Sequence, residues 1–413
     1  MKYFCFIICF ITLFASCKDK DEKDNLIDKI IDKRTIIAYI SAENNLSSYS
    51  SGDINEMLKG SLNIPNNMNL IAFVDVADPS MPPYVINIKD GKSTIDTDIT
   101  FSEDFYASDP NKMRDILNRI MLKYPAESFG LILWGHANGW IINNSSIDFT
   151  SKRRAYGGDN GNNSTSGSGK VWMNIPDMAK ALESLPQKFN FIFADCCNFQ
   201  CAEIAYELRN ATDLIIGSPA EIPGYGAPYD KIIPLLFDTS NNFYEKVVDA
   251  YFNDYYTADY DESVPLSVIN TQNIGKLAEA TRKLVPELMP KIEFDSLVYY
   301  IKTDSLVYYY DNNTKVMFDA KGLINTNVTD SNKIAEWIEA LNETVVYKKR
   351  CSRWMTSRLV DFSDFNVTED NYSGITMFVP LPEYDSKGKN YNKAIEKMQW
   401  WTATEMNKFY IKE

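Results

Sequence analysis

The chain has 413 residues, 45% of them apolar and 13% aromatic, and a net charge of −14. That composition excludes wholesale disorder, and the length suits one large domain with an appended part, or two domains. The negative balance excludes nucleic acid as a partner, because a phosphate backbone needs a basic footprint; it suits a basic substrate, although solubility explains it equally well.

At the start of the chain, Met1-Lys2-Tyr3 is a short basic segment, and Phe4 to Ala15 is an apolar run too short to span a bilayer as a mature helix. The run ends in Phe14-Ala15-Ser16-Cys17, and Lys18-Asp19-Lys20-Asp21-Glu22 follows. Small residues before a cysteine, then an abrupt polar stretch, resemble a bacterial lipobox. That implies cleavage before Cys17, acylation of its thiol, and an exported lipoprotein held at the outer membrane or cell surface. Residues 18–34 read as a flexible tether or a solvated lead-in helix. No later stretch is long and apolar enough for a membrane helix.

Thr35 to Ser41 (TIIAYIS) and Asn69 to Val76 (NLIAFVDV) are apolar runs expected of strands buried on both faces. Tyr84 to Ile88, after Pro82 and Pro83, fits a shorter edge strand. Asn111 to Tyr124 has helical spacing, with Met113, Ile116, Leu117, Ile120 and Met121 on one face. A strand is expected over Phe129 to Trp134, a helix over Ile175 to Leu185, a strand over Phe189 to Ala194, a helix over Ala202 to Asn210 and a strand over Asp213 to Gly217. This alternation predicts an α/β fold with a mainly parallel sheet between helices. Asn143 to Gly169, rich in Asn, Ser and Gly and carrying Lys152-Arg153-Arg154, reads as one long mobile loop. After about Asp230 the pattern is mainly helical, with two further strands at Leu266 to Ile269 and Gly374 to Val379. DSLVYY occurs at 295 and again at 304, a duplication in a peripheral element. The expected organisation is a catalytic domain over 35–240 and a mostly helical part over 241–413 packed on it.

The chain contains one histidine, His136, directly after an expected buried strand and flanked by Gly135 and Gly139. Functional residues in open parallel sheets gather at the carboxyl ends of strands. The next strand ends in Asp195-Cys196-Cys197. If the two strands are parallel, imidazole and thiol share one sheet edge, where the imidazole can take the thiol proton or stabilise the thiolate. Backbone N–H groups near His136 and at the cysteine would hold an oxyanion. On position alone, inert core filling by the cysteines remains an equal alternative. Of seven cysteines, Cys5 and Cys9 leave with the leader, Cys17 would carry lipid, and Cys196, Cys197, Cys201 and Cys351 remain. Their clustering is not that of a disulfide framework, and zinc is disfavoured because Cys196 and Cys197 point apart and no second CxxC exists. No motif specifies a metal or other cofactor.

The stretch LILWGHANGW resembles the histidine motif of clostripain-like cysteine peptidases, a branch of the caspase and gingipain group. FADCCNFQCAEIAYEL, residues 193–208, resembles that family's cysteine motif, and IIGSPAEIPGYGAPYD, residues 215–230, its next strand and loop. The resemblance implies a caspase-like fold and an endopeptidase acting on peptides or proteins, with Cys197 as nucleophile and His136 as general acid and base. Ala137 and Cys197 would supply the oxyanion N–H groups. It implies cleavage after Arg or Lys, with Asp195 and Glu221 as acidic S1 residues, and self-cleavage at Lys152, Arg153 or Arg154. It also leaves room for calcium, which no motif here specifies. Ala137 stands where the family often has Gly, Cys196 replaces Ala, and Asn198-Phe199 replaces a Leu-Met-like pair. The chain is expected to act as a monomer. The competing reading is an inactive relative that binds peptides or partner proteins at the surface; retention of both His136 and Cys197 argues against it.

Overall fold

The runs read as two-sided strands take the middle of one nine-stranded sheet. The structure, a computed structural model, describes residues 31–142, 155–161, 170–288, 317–355, 362–365, 367–380 and 391–408. Cys17, Lys152, Arg153, Arg154 and the DSLVYY duplication lie outside them. In chain order, β1 (Asp32–Ala42), α1 (Ser47–Ser61), β2 (Met68–Val76), the hairpin β3 (Tyr84–Lys89) and β4 (Lys92–Ile95), and α2 (Pro110–Lys123) lead into β5 (Ala126–Gly135). The short β6 (Tyr156–Asp159) and β7 (Val171–Met173) precede α3 (Ile175–Glu183), β8 (Phe189–Asp195), α4 (Ala202–Leu208) and β9 (Thr212–Gly217). Then come α5 (Tyr229–Leu236), α6 (Phe243–Tyr255), β10 (Leu266–Asn270), α7 (Ile274–Leu288), β11 (Phe318–Asp319), α8 (Ala320–Asn327), α9 (Ser331–Thr344) and β12 (Val345–Lys349). The chain closes with β13 (Arg353–Met355), β14 (Phe362–Asp364), β15 (Thr376–Met377), α10 (Tyr391–Ile395) and α11 (Gln399–Ala403).

The sheet order is β12-β10-β9-β8-β5-β1-β2-β3-β4. Strands β9, β8, β5, β1 and β2 are parallel, and the two outer strands on each side are antiparallel. Side-chain alternation along β1 explains the layers. Ile36, Ala38 and Ile40 enter a core shared with α1, α5 and α6, whereas Ile37 and Tyr39 enter the opposite core with α2, α3, α4 and α7. Each fully buried isoleucine of this kind contributes about 1.5–3 kcal/mol relative to exposure. The five residues expected on one face of α2 are its buried ones, and the Asp109 carboxylate caps the helix by accepting from Asn111 and Lys112 N–H.

Two expectations need correction. Of Gly374–Val379, only Thr376–Met377 pairs as a strand, and it pairs with β11 rather than with the main sheet. Its amides are committed elsewhere: Thr376 N–H donates to Gln200 O at 2.9 Å and Phe378 N–H to a Glu203 carboxylate oxygen at 2.7 Å, which docks the segment beside α4. The segment 143–169 is also not one continuous loop, because residues 155–161 are buried and contain β6. The 241–413 part does more than pack on the sheet, since β10 and β12 extend it beyond β9. From β1 the chain runs outward to β2 and later returns to β5 on β1's other side, so the order reverses there. The carboxyl ends around such a reversal form the natural crevice of an open α/β sheet.

Candidate active site

The register of β5 on β8 brings the histidine and the cysteine together. The last paired positions are Trp134 opposite Asp195, and two residues further along each strand stand His136 and Cys197. Parallel neighbours are about 4.8 Å apart, so both residues leave the sheet side by side at its carboxyl edge. Gly135 makes the exit at φ +141°, where an added Cβ would lie 2.8 Å from Ser41 O. After Cys197 the chain turns at Asn198, φ +56°, and Asn198 N–H donates to Ala220 O at 2.8 Å. The four described cysteines are free; Cys196, Cys201 and Cys351 are buried, and Cys197 alone among them is partly exposed.

His136 is oriented from β1's exit. Its Nε2 lies 3.0 Å from Asn45 Oδ1, and the Lys170 ammonium donates to that same Oδ1 at 3.3 Å. An ammonium only donates, so this contact identifies the Asn45 atom as the oxygen. Nε2 therefore carries the imidazole proton, and Nδ1 is left as the acceptor. Burial and the Lys170 charge push the His136 pKa down to about 4. Burial, then the Glu221 charge, push the Cys197 thiol up to about 12, against a 3.4 Å hydrogen bond from Ile222 N–H. The resting pair across the neutral range is a neutral imidazole and a neutral thiol rather than an ion pair.

The buried strand β6 frames the histidine loop. Asn138 N–H donates to Ala155 O at 2.9 Å and Gly157 N–H to His136 O at 2.8 Å, which makes Ala137 and Tyr156 a bridged pair. Antiparallel alternation then turns the Ala137 N–H away from β6, outside that pairing. Tyr156 is buried with its hydroxyl 3.2 Å from Trp134 O. These bonds are why residues 155–161 are structured although their composition reads as loop.

Asp195 ends β8 as a buried carboxylate. It accepts from Tyr229 Oη at 2.7 Å, Ala227 N–H at 3.1 Å and Tyr251 Oη at 3.3 Å. Its carboxylate neighbour is Asp53 of α1, which accepts from Trp134 Nε1 at 2.5 Å. An added Cβ on Gly226 would sit 2.7 Å from Asp195 Oδ2 and 3.3 Å from Asp53 Oδ2, so glycine alone leaves both oxygens uncovered there. Burial, then the Asp195 charge, push Asp53 up to about 8; burial also raises Asp195. Glu221 lies instead by Cys197 and bridges to Met355. Sequence reasoning missed Asp53 and Asn45. Both lie in or before SSYSSGDINEMLKGS, whose serines and glycines show no apolar stripe to announce a helix.

The sequence profile of the clostripain family matches residues 38–409. The chain belongs to the clostripain family. Like its family it is a cysteine peptidase. Among solved structures it is similar to a secreted C11 cysteine protease from Bacteroides thetaiotaomicron in complex with an irreversible peptide inhibitor. The identity is 26%, covering 91% of this chain and 99% of that one, at a TM-score of 0.74. An inactive zymogen C11 protease from Parabacteroides distasonis shares the fold at 22% identity, 90% and 97% coverage and a TM-score of 0.72. Among curated proteins no match is found. The mainly parallel sheet flanked by helices is thus the caspase-like arrangement of this clostripain group.

Proposed function

We propose that this clostripain-family peptidase is an exported, lipid-anchored endopeptidase that cuts after Arg or Lys, with Cys197 as nucleophile and His136 as general acid and base. The observation that supports it is the β5–β8 register, in which the strand ends before the one histidine and before the one partly exposed thiol among the described residues are neighbours. His136 Nδ1 takes the thiol proton as Sγ attacks the scissile carbonyl carbon. The resulting oxyanion is held by the N–H groups of Ala137 and Cys197. The imidazolium then returns its proton to the leaving amine, and water hydrolyses the acyl-enzyme. A peptidyl-Lys or peptidyl-Arg acyloxymethyl ketone should label the wild-type protein and not Cys197→Ala. Absence of labelling in both would favour the surface-binding relative.

Asn45 acts on this chemistry through the tautomer of His136. Asn45→Ala should lower kcat by roughly tenfold or more while KM stays within about twofold, because an unanchored ring populates the wrong orientation. Asn45→Asp places a carboxylate at the same atom and should shift the acid limb of the pH–rate profile to higher pH. An unchanged kcat in Asn45→Ala would remove the residue from the mechanism.

Basic specificity is assigned to Asp195 together with Asp53, and Glu221 remains the candidate nearest the thiol. Asp195→Asn should lower kcat/KM for P1 Arg substrates about tenfold or more, as a charged hydrogen bond is worth about 1.5–3 kcal/mol. The pH dependence has a definite sign. Asp53 has a pKa of about 8, so it is mostly protonated at neutral pH, and a guanidinium pairs with its deprotonated form. Turnover of P1 Arg substrates should therefore rise with pH through about 8, and Asp53→Asn should flatten that rise. Equal kcat/KM for P1 Leu and P1 Arg would refute the assignment.

The anchor is assigned to Cys17. No helix of the described residues is long and apolar enough to cross a membrane, and one similar structure is described as that of a secreted protease. Mass spectrometry of the mature amino terminus should find a lipidated Cys17, and Cys17→Ser should release the protein from membranes. An unmodified Cys17 would end this part of the proposal. The protein is proposed to act as a monomer; light scattering at two or more chain masses would contradict that.

A further inference from the structure

Under the proposed roles of Cys197 and His136, on which this inference rests, the imidazole hands its proton to the leaving amine. The residue after the scissile bond therefore departs on the histidine side of the acyl carbon, and whatever stands next to the imidazole there meets it. A large, half-buried side chain occupies that place. The Trp172 ring centroid lies 6.2 Å from that of His136, with the two planes tilted by 37°. Trp172 is the middle residue of β7, where strand alternation sends its neighbour Met173 into the core with Tyr156 and leaves Trp172 on the outer face. In the sheet, β5 has β8, the strand before Cys197, on one side and β1 on the other. The β6–β7 hairpin stands on the β1 side, since an added Cβ on Gly157 would lie 3.3 Å from Ser41 Oγ, near the end of β1. Trp172 thus reaches His136 from the flank away from the cysteine strand.

The indole is held rather than loose. A Cβ on Gly158 would meet Trp172 Cζ2 at 2.6 Å and Cε2 at 2.7 Å, so glycine is what lets the ring lie down on β6. Strand β6 is itself tied to the histidine loop by the bond from Gly157 N–H to His136 O at 2.8 Å, and to the exit of β1 by that from Asn160 N–H to Glu43 O at 2.9 Å. Lys170, two residues before Trp172, turns the same way, donating to Asn45 Oδ1, the atom that also meets His136. A fixed aromatic face offers contact area at little ordering cost. We propose that Trp172 walls the S1′ subsite and selects a large apolar or aromatic residue immediately after the cleaved bond. The two sides of the bond are then read by opposite chemistry: carboxylates for the residue before it, an indole for the residue after it.

The test separates the subsite from the chemistry. Internally quenched peptides with Arg before the bond and Phe, Leu or Gly after it are compared with a peptidyl-Arg methyl ester, whose small leaving group leaves S1′ nearly empty. Active sites of the full-length protein are first titrated with the acyloxymethyl ketone, so that only folded, reactive enzyme is counted. Wild-type kcat/KM should fall about tenfold or more from Phe to Gly, as one well-filled apolar subsite allows. Trp172→Ala should compress that span to about twofold while its ester hydrolysis stays within about twofold of wild type, and Trp172→Phe should keep most of the span. Equal turnover of the Phe and Gly peptides by wild type overturns the proposal, whether or not the variants fold. An equal loss on the ester and on every peptide in Trp172→Ala also overturns it, and makes the indole a support for the imidazole. A wild-type protein that leaves even the ester uncut refutes instead the roles of Cys197 and His136, and this inference falls with them.

Discussion

Cys197→Ala is expected to abolish peptide hydrolysis, lowering kcat by roughly 10⁴-fold or more, whereas Cys196→Ala and Cys201→Ala should keep much of the activity. The three cysteines are close in sequence and differ in surroundings. Cys196 is buried with the core that contains Tyr156, and Cys201 is buried with its thiol donating to Asn198 O at 3.1 Å. Neither can meet a substrate carbonyl without the loops opening. Each truncation should cost about 1 kcal/mol of stability through lost packing, visible in a melt rather than in a progress curve. Cys197 occupies the position level with His136 and is the partly exposed thiol. A fluorogenic P1 Arg substrate separates the three variants. If Cys196→Ala is the dead one, the nucleophile is misassigned by one residue.

Wild-type protein is expected to convert itself into two fragments that stay together, while Cys197→Ala remains a single chain. Lys152, Arg153 and Arg154 directly precede Ala155, and an enzyme that prefers basic P1 residues meets this tethered segment at high effective concentration. The structure sets a limit on where the cut can fall. Ala155 and Tyr156 are buried, and β6 is bonded to the histidine loop, so cleavage beyond Arg154 would require pulling out a paired strand. The amino-terminal fragment would carry β1 to β5 and the carboxyl-terminal one β6 onward. They would remain joined by the ladder from Gly130 opposite Phe191 to Trp134 opposite Asp195 and by the β6 bonds. Replacing Lys152, Arg153 and Arg154 together by Ala should block conversion. Sequencing of the second fragment should find a new terminus between Arg153 and Ala155; a wild-type chain that stays intact and fully active would sink the idea.

Strands buried on both faces were legible because their signal is local: TIIAYIS and NLIAFVDV are apolar at nearly every position, as a sheet covered by helices demands. Helix α2 was legible from its 3.6-residue spacing. Helix α1 was not, because it buries only five residues, three of them Ser50, Ser61 and Gly60, and what holds it is packing against α5. Two residues of the proposed site went unseen with it, Asn45 before its start and Asp53 within it. Strand β6 was hidden for a related reason, since YGGD has turn composition and owes its conformation to partners on the histidine loop. That His136 and Cys197 follow two neighbouring strand ends was legible in outline, but the histidine tautomer was not. It is decided by Asn45 and Lys170, distant in sequence and brought together only by the fold.

The antiparallel strands that flank the parallel core bear on how the protein survives at high concentration. A sheet with five adjacent parallel strands rich in Ile and Phe would, if it ended bare, offer a template on which a second copy could add a strand. Here one boundary is β4, four exposed residues long and opened by Lys92, and the other is β12, five residues long and closed by Lys348 and Lys349. Short, lysine-bearing margins make poor templates. The aggregation-prone centre of the molecule is thereby insulated from its neighbours by these short antiparallel margins.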